Sequence, residues 1–250
     1  NNKGCAAVKD TININFIASP HSNFTTANTY SGGTNITNGT LQAGGANFPS
    51  GSGITVSSGI LEFTGGNVNN IAINSAGVFN VNGVTNITNI TNSGILNVNQ
   101  QLSSTGNINS NGNINLRNII NMPGLSLTNT GSINVQGMQS LDATNFVSSG
   151  SQNYTITNTE SFDSLTTNAA IDLSNGSINV SSSYIGATNS TADWDILIGT
   201  SIMTNDVTKI IVPDNSALSS SLSSIIKAIN SKYAFTKFGF KSIAFIKQSS

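Results

Sequence analysis

Charge is scarce in this chain. Only 8% of its 250 residues are charged, where an ordinary soluble domain carries about 25%. Nine basic residues against ten acidic ones give a net charge of −1. That excludes a basic surface able to track a phosphate backbone, and nucleic acid with it. The chain has a single cysteine, Cys5, and a single histidine, His21. One thiol makes no internal disulfide, and the pair cannot supply the four ligands of a structural zinc site. A Ser–His–Asp site would need His21 beside an orienting carboxylate. The nearest acid in sequence is Asp10, no Gly-x-Ser-x-Gly turn occurs, and His21, behind Pro20, reads as part of a polar surface loop. No run of about 18 apolar residues exists to span a membrane as a helix. No secretory signal is visible. A start at Asn1 rather than Met reads as a processed piece or an excerpt, so a missing leader says little about compartment.

What the chain does have is small polar residues. Its 39 Asn, 37 Ser, 27 Thr and 24 Gly fill 127 of the 250 positions, and Ile outnumbers Leu 30 to 13. β-Branched and turn residues in this proportion exclude a helical protein. A repeat of Gly, any residue, apolar, polar, apolar runs through the chain. It reads Gly39-Thr40-Leu41-Gln42-Ala43, Gly59-Ile60-Leu61-Glu62-Phe63 and Gly77-Val78-Phe79-Asn80-Val81. It continues as Gly94-Ile95-Leu96-Asn97-Val98, Gly112-Asn113-Ile114-Asn115-Leu116, Gly131-Ser132-Ile133-Asn134-Val135 and Gly176-Ser177-Ile178-Asn179-Val180. From Gly39 to Gly131 the steps are 20, 18, 17, 18 and 19 residues. Gly150 keeps the step, with its strand shifted so that Tyr154 and Ile156 take the apolar places. The step of 26 from Gly150 to Gly176 implies an insertion.

Each copy alternates apolar and polar residues, as a strand with one buried face does. The glycine fits a bend needing positive φ. A period of about 18–19 residues is too short for a propeller blade, and the leucine-rich consensus is absent. It suits one coil of an all-β parallel β-helix, three short strands joined by three tight bends. Rungs then stack at roughly 4.8 Å, aligned Asn amides can hydrogen-bond in ladders, and Leu61, Phe79, Leu96, Ile114 and Ile133 should lie one above another inside. Stacked like charges would repel, which accounts for their rarity. Between Thr11 and Leu141 only Glu62 and Arg117 are charged.

Composition divides the chain into a stack over 1–212 and a short mixed cap or tail over 213–250. Residues 201–250 hold six Lys and two Asp, net +4, whereas residues 1–200 hold three basic and eight acidic residues, net −5. Behind Asp214, the residues Leu218, Leu222, Ile225, Ile226, Ile229 and Tyr233 fall at helical spacing. Tyr233, Phe235, Phe238, Phe240, Ile243 and Phe245 then alternate as in a hairpin. An end cap covers the apolar cross-section and open strand edges of a solenoid; contact of this basic, aromatic tail with a membrane surface is the alternative.

The sequence assigns no catalytic residue, no cofactor and no metal ligand. Calcium-binding β-rolls need Gly-Gly-x-Gly-x-Asp, which none of Gly32-Gly33, Gly44-Gly45 or Gly65-Gly66 begins. β-Helix enzymes that cut polysaccharides cluster carboxylates on one face. Asp193 and Asp195 flank the only tryptophan, Trp194, and would share a strand face; Glu160, Asp163 and Asp172 would form a loose acidic patch. A carbohydrate-active enzyme using Asp193 and Asp195 is therefore the alternative to a chemically inert rod.

Through the copies at 76–82, 93–99 and 175–181 and the stretch Trp194-Asp195-Ile196-Leu197-Ile198-Gly199, the chain resembles the passenger region of bacterial autotransporters. The likeness covers roughly residues 11–212. It is greatest to the Asn-, Gly- and Thr-rich surface antigens of obligate intracellular bacteria. The tail beyond 214 departs from a typical passenger end. The resemblance implies a right-handed coil, a place on the bacterial surface, at the outer membrane or secreted, and a role in adhesion or as a surface antigen. It implies as partners a host-cell surface protein or glycan and, in a longer chain, a C-terminal translocator barrel. It carries over no catalytic residue.

Overall fold

The computed structural model describes residues 12–14, 21–23, 32–49, 51–157, 161–182, 197–199, 201–203, 209–211 and 226–228. Among them the chain is an all-β parallel β-solenoid, with no α-helix and one 3₁₀ turn at Gly45–Asn47. Its strands form two parallel sheets, one of 14 strands and one of 10. Neighbours within each sheet come from successive turns of the coil, so every ladder bond joins a turn to the one before or after it.

The strands Thr85–Asn92 and Ile95–Val98 make up one turn. Thr85 and Ile87 point inward, and so do Ile90 and Asn92. Between them the two-residue period slips by one at Thr88-Asn89, and that slip is a corner. In the following turn the same two arms are separate strands, Leu102–Ser104 and Ile108–Ser110, paired to Thr85–Ile87 and Ile90–Asn92. Three arms per turn are thus present, two of them bent across one continuous sheet. The third arm is the glycine-led repeat. Its inward residues Leu41, Leu61, Phe79, Leu96, Ile114 and Ile133 occupy one register column, each at most 1% exposed. Phe63 and Phe79 meet edge to face at 5.9 Å. A chain of this length needs no separate core to be buried this way, because each turn supplies about four apolar side chains to one shared interior.

Four expectations change. The repeat glycine is not there for positive φ: of those in the repeat, only Gly39 has it, at 69°. Space is the reason elsewhere. A Cβ on Gly112 would meet the Gly94 carbonyl oxygen at 2.2 Å, and one on Gly131 would meet that of Gly112 at 2.0 Å. Second, the strand after Gly150 is in register: Gln152 lies over Ile133 and Asn153 over Asn134. A buried glutamine takes an inward place, with Tyr154 and Ile156 inward after it. Third, His21 opens a strand, His21–Asn23, paired with Thr40–Gln42, and is not in a loop. Fourth, the stack does not stop at 212. Ile226–Ala228 is a strand paired with Leu197–Gly199, so the helical spacing behind Asp214 is not followed there. An open parallel edge offers backbone partners to any extended segment, and Ile226-Lys227-Ala228 alternates as a strand needs. The remainder of 213–250 lies outside the described residues.

The 26-residue step is an excursion from the coil. Ile156 and Phe162 form an antiparallel bridge. The Asp163 carboxylate ties its foot by accepting from the Gly137 N–H (2.6 Å) and the Thr155 N–H (2.7 Å).

Gly131→Ala forces a methyl group into a backbone carbonyl and should cost about 2–3 kcal/mol. Gly124→Ala, at φ 79° but with open space around it, should cost about 1 kcal/mol. Urea unfolding of the two variants checks this. Equal midpoints would show that close approach between turns is not what selects glycine in the repeat.

Candidate functional site: polar ladders and a neutral groove

Register places chemically identical side chains above one another, and their amides use it. On the outer side of the glycine-led arm, Asn97 donates its Nδ2 to Asn80 Oδ1 at 2.6 Å and Asn115 to Asn97 at 2.6 Å. Asn134 donates to Asn115 at 2.7 Å, Asn153 to Asn134 at 2.6 Å and Asn179 to Asn153 at 2.7 Å. At the lower end Asn80 donates to the Glu62 Oε1 carboxylate at 2.6 Å. At the upper end Asn179 Oδ1 is buried without a partner. All the amide dipoles therefore point one way, from a free acceptor down to an anion, and aligned hydrogen bonds polarise one another.

A second ladder runs beside the first and uses both charges of this region. The Arg117 guanidinium donates to Asn99 Oδ1 at 3.0 Å, and Asn99 Nδ2 to Asn82 Oδ1 at 2.9 Å. Asn82 Nδ2 then donates to the other Glu62 oxygen. Arg117 also donates to Gln136 Oε1 at 2.6 Å. A cation and an anion three turns apart are joined through two amides, and both ends are charge-assisted. Sequence alone shows Glu62 and Arg117 as isolated charges. Their positions three and five residues after the repeat glycines Gly59 and Gly112, on the same outer side, are the signal that could have joined them.

Polar groups also turn inward. Asn92 Nδ2 donates to Ser110 Oγ at 3.0 Å, and Asn129 Nδ2 to Ser148 Oγ at 3.2 Å. The four residues follow one another in register. Asn92 Oδ1 accepts from the Gly94 N–H, fixing the tight bend into the next arm. The Tyr154 hydroxyl donates to Gln152 Oε1 at 2.8 Å. Burial, with a smaller push from the Asp163 charge, raises the Tyr154 pKa far above its ordinary 10.0.

Among the described residues the acids do not converge. Asp163 and Asp172 each serve backbone geometry, Asp172 Oδ1 accepting from the Ser174 N–H at 2.8 Å. Asp142 accepts from Asn168 Nδ2 at 2.6 Å. Among the described residues no three His, Cys, Asp or Glu side chains come together. Glu160, Asp193, Trp194, Asp195 and Cys5 lie outside the described residues. Among the described residues, no helix is long and apolar enough to cross a membrane.

Among the described residues, a shallow groove of about 630 Å³ runs across four turns of the 14-stranded sheet. Register explains its shape. One column runs Gly33, Gly53, Asn70, Asn89 and its neighbour runs Asn35, Thr55, Ala72, Thr91. Two glycines and an alanine leave the floor low, while Asn89 and Thr91 form the wall. Asn89 Nδ2 donates to Asn70 Oδ1 at 3.0 Å. The lining carries amides, hydroxyls and small apolar faces, and no charge. The sequence weighed Gly32-Gly33 only as a calcium motif; the groove becomes visible once four turns are aligned.

No family model matches the chain, and neither curated proteins nor solved structures give a match.

Asn115→Ala leaves Asn97 Oδ1 and Asn134 Nδ2 without their ladder partner and should lower stability by about 1–3 kcal/mol. Asn109→Ala, on an exposed outer position, should stay within about 0.5 kcal/mol. Urea midpoints compare the two; equal losses would show that the ladder adds nothing to the strands.

Tyr154 gives a pH dependence of definite sign. Above pH 10.0 the unfolded chain releases this proton and the folded chain keeps it. Stability from Tyr154 is therefore complete below that pH and declines above it, by up to about 1.4 kcal/mol per pH unit. Unfolding free energies between neutral and strongly alkaline pH should fall less steeply for Tyr154→Phe than for the parent. Parallel curves would disprove the assignment.

Proposed function

We propose that this chain is a rigid rod displayed at or exported from a bacterial surface. It is passenger-like, and it serves adhesion rather than catalysis. The observation that carries the reading is the groove over Gly33, Gly53, Ala72 and Thr91. It is a neutral surface of amides and hydroxyls, built on strands whose own backbone groups are already paired. Such a surface exchanges hydrogen bonds with a neutral polyhydroxylated chain without stripping water from buried charge. Its rungs repeat at roughly 4.8 Å, comparable with the length of one sugar ring. A host-surface glycan is the partner of matching chemistry. The resemblance to surface antigens of obligate intracellular bacteria supports the location, and a translocator barrel encoded downstream would be its anchor.

Binding to panels of neutral and acidic glycans tests this. Saturable retention on neutral chains is expected, nearly independent of salt because no ion pair forms. Ala72→Arg, which fills the groove floor at a half-buried outer position, should weaken it by about tenfold or more. Retention on acidic chains only, or none, refutes the reading. Cleavage of a polysaccharide that disappears in Asp193→Asn or Asp195→Asn would replace it with the carbohydrate-active one.

A further inference from the structure

We propose that Asn38 is a site of intrinsic covalent modification, converting itself to aspartyl and isoaspartyl residues in the folded protein ahead of the other Asn-Gly pairs described. The sequence holds Asn-Gly at 38–39, 82–83, 111–112 and 175–176. Glycine in the second place leaves the following amide nitrogen unshielded. In an unfolded chain the four pairs would react alike. The fold sets them apart.

At Asn38 the Gly39 N–H donates to the residue's own Oδ1 at 2.9 Å. The side chain is thus folded back over the bond that follows it, with the Gly39 nitrogen beside Cγ. Asn38 is solvent-exposed, so base and water reach it. Gly39 sits at φ 69°, in a bend that precedes the strand Thr40–Ala43. The other three are held differently. Asn82 is stretched along the stack, its Nδ2 donating to Glu62 and its Oδ1 accepting from Asn99. Both leaving group and carbonyl are engaged away from Gly83. The Gly112 N–H donates to the Asn92 carbonyl and the Gly176 N–H to the Leu173 carbonyl. These nitrogens are committed to backbone bonds. Asn118 provides an internal comparison. The Ile119 N–H also donates to Asn118 Oδ1 at 2.9 Å, but there the attacking nitrogen carries a β-branched residue that hinders approach.

The reaction balances with water alone. The deprotonated Gly39 nitrogen attacks Asn38 Cγ, the bond from Cγ to Nδ2 breaks, and the nitrogen leaves as ammonia with the proton that Gly39 lost. Water then opens the cyclic imide at either carbonyl. One opening leaves an ordinary aspartyl residue in place of Asn38; the other routes the main chain through the side-chain carbon and lengthens the bend by one methylene. Either product puts a negative charge where none stood.

The test incubates the full chain, folded, in mildly alkaline buffer. Chymotryptic digests are mapped by mass spectrometry, and isoaspartate is confirmed by enzymatic methyl transfer. A parallel sample is held in urea. The expected result is that Asn38 reacts about tenfold or more faster than Asn82, Asn111 and Asn175 in the folded chain, because orientation toward the nucleophile is supplied at one site only. The four should approach a common rate in urea. Asn38→Ser should remove the fast product and leave the slow ones. Equal rates at the four sites in the folded chain, or Asn38 slower than any of the other three, overturns the proposal. So does an Asn38 lead that persists unchanged in urea, since sequence rather than geometry would then be its cause.

Discussion

Parallel in-register stacking is the constraint on which the rest of this structure depends. When each strand lies directly over its predecessor at about 4.8 Å, every side chain faces a counterpart in the next turn at contact distance. Residue types that satisfy themselves are favoured and those that repel themselves are excluded. An asparagine meets both conditions of a good ladder member, donor on one side and acceptor on the other. A column of lysines or glutamates does not. The composition that looks impoverished as a sequence is the one that this geometry selects.

The interior obeys the same constraint more loosely. Its columns mix Leu, Phe and Ile at one level and Asn with Ser at another. Dispersion and burial need shape but not identity. Where the interior does place an amide, the amide caps a bend, as Asn92 does for Gly94. Gln152 is the exception, an amide in an aliphatic column between Ile133 and Ile178. The Tyr154 hydroxyl occupies its oxygen, while its Nε2 is buried without a partner.

The fold was legible in the sequence because its signal is repeated. Glycine spacing and alternation gave the parallel β-helix, the alignment from Leu61 to Ile133, the asparagine ladder and the excursion between Gly150 and Gly176. What was misread depended on neighbours that only stacking supplies. A glycine needed for a bend and a glycine needed beneath a carbonyl look the same in one dimension, so Gly112 and Gly131 were assigned the wrong cause. Gln152 broke the apolar pattern and suggested a slipped strand, although Asn153 over Asn134 preserves the register. Ile226 fits both a helical and a two-residue period, and the open edge beside Leu197 decided between them. The groove was invisible because its floor is defined by missing side chains at Gly33 and Gly53, twenty residues apart in sequence and adjacent in space.

The column from Asn179 down to Glu62 has a sense. Each amide gives its proton to the residue that was synthesised earlier. A nascent or translocating chain that emerges amino end first therefore always shows an unfilled oxygen at its newest edge. The incoming segment finds a template already oriented to receive it, and the carboxylate at the start biases the whole array in that direction. Within that column, each added layer extends one continuous sense of hydrogen bonding.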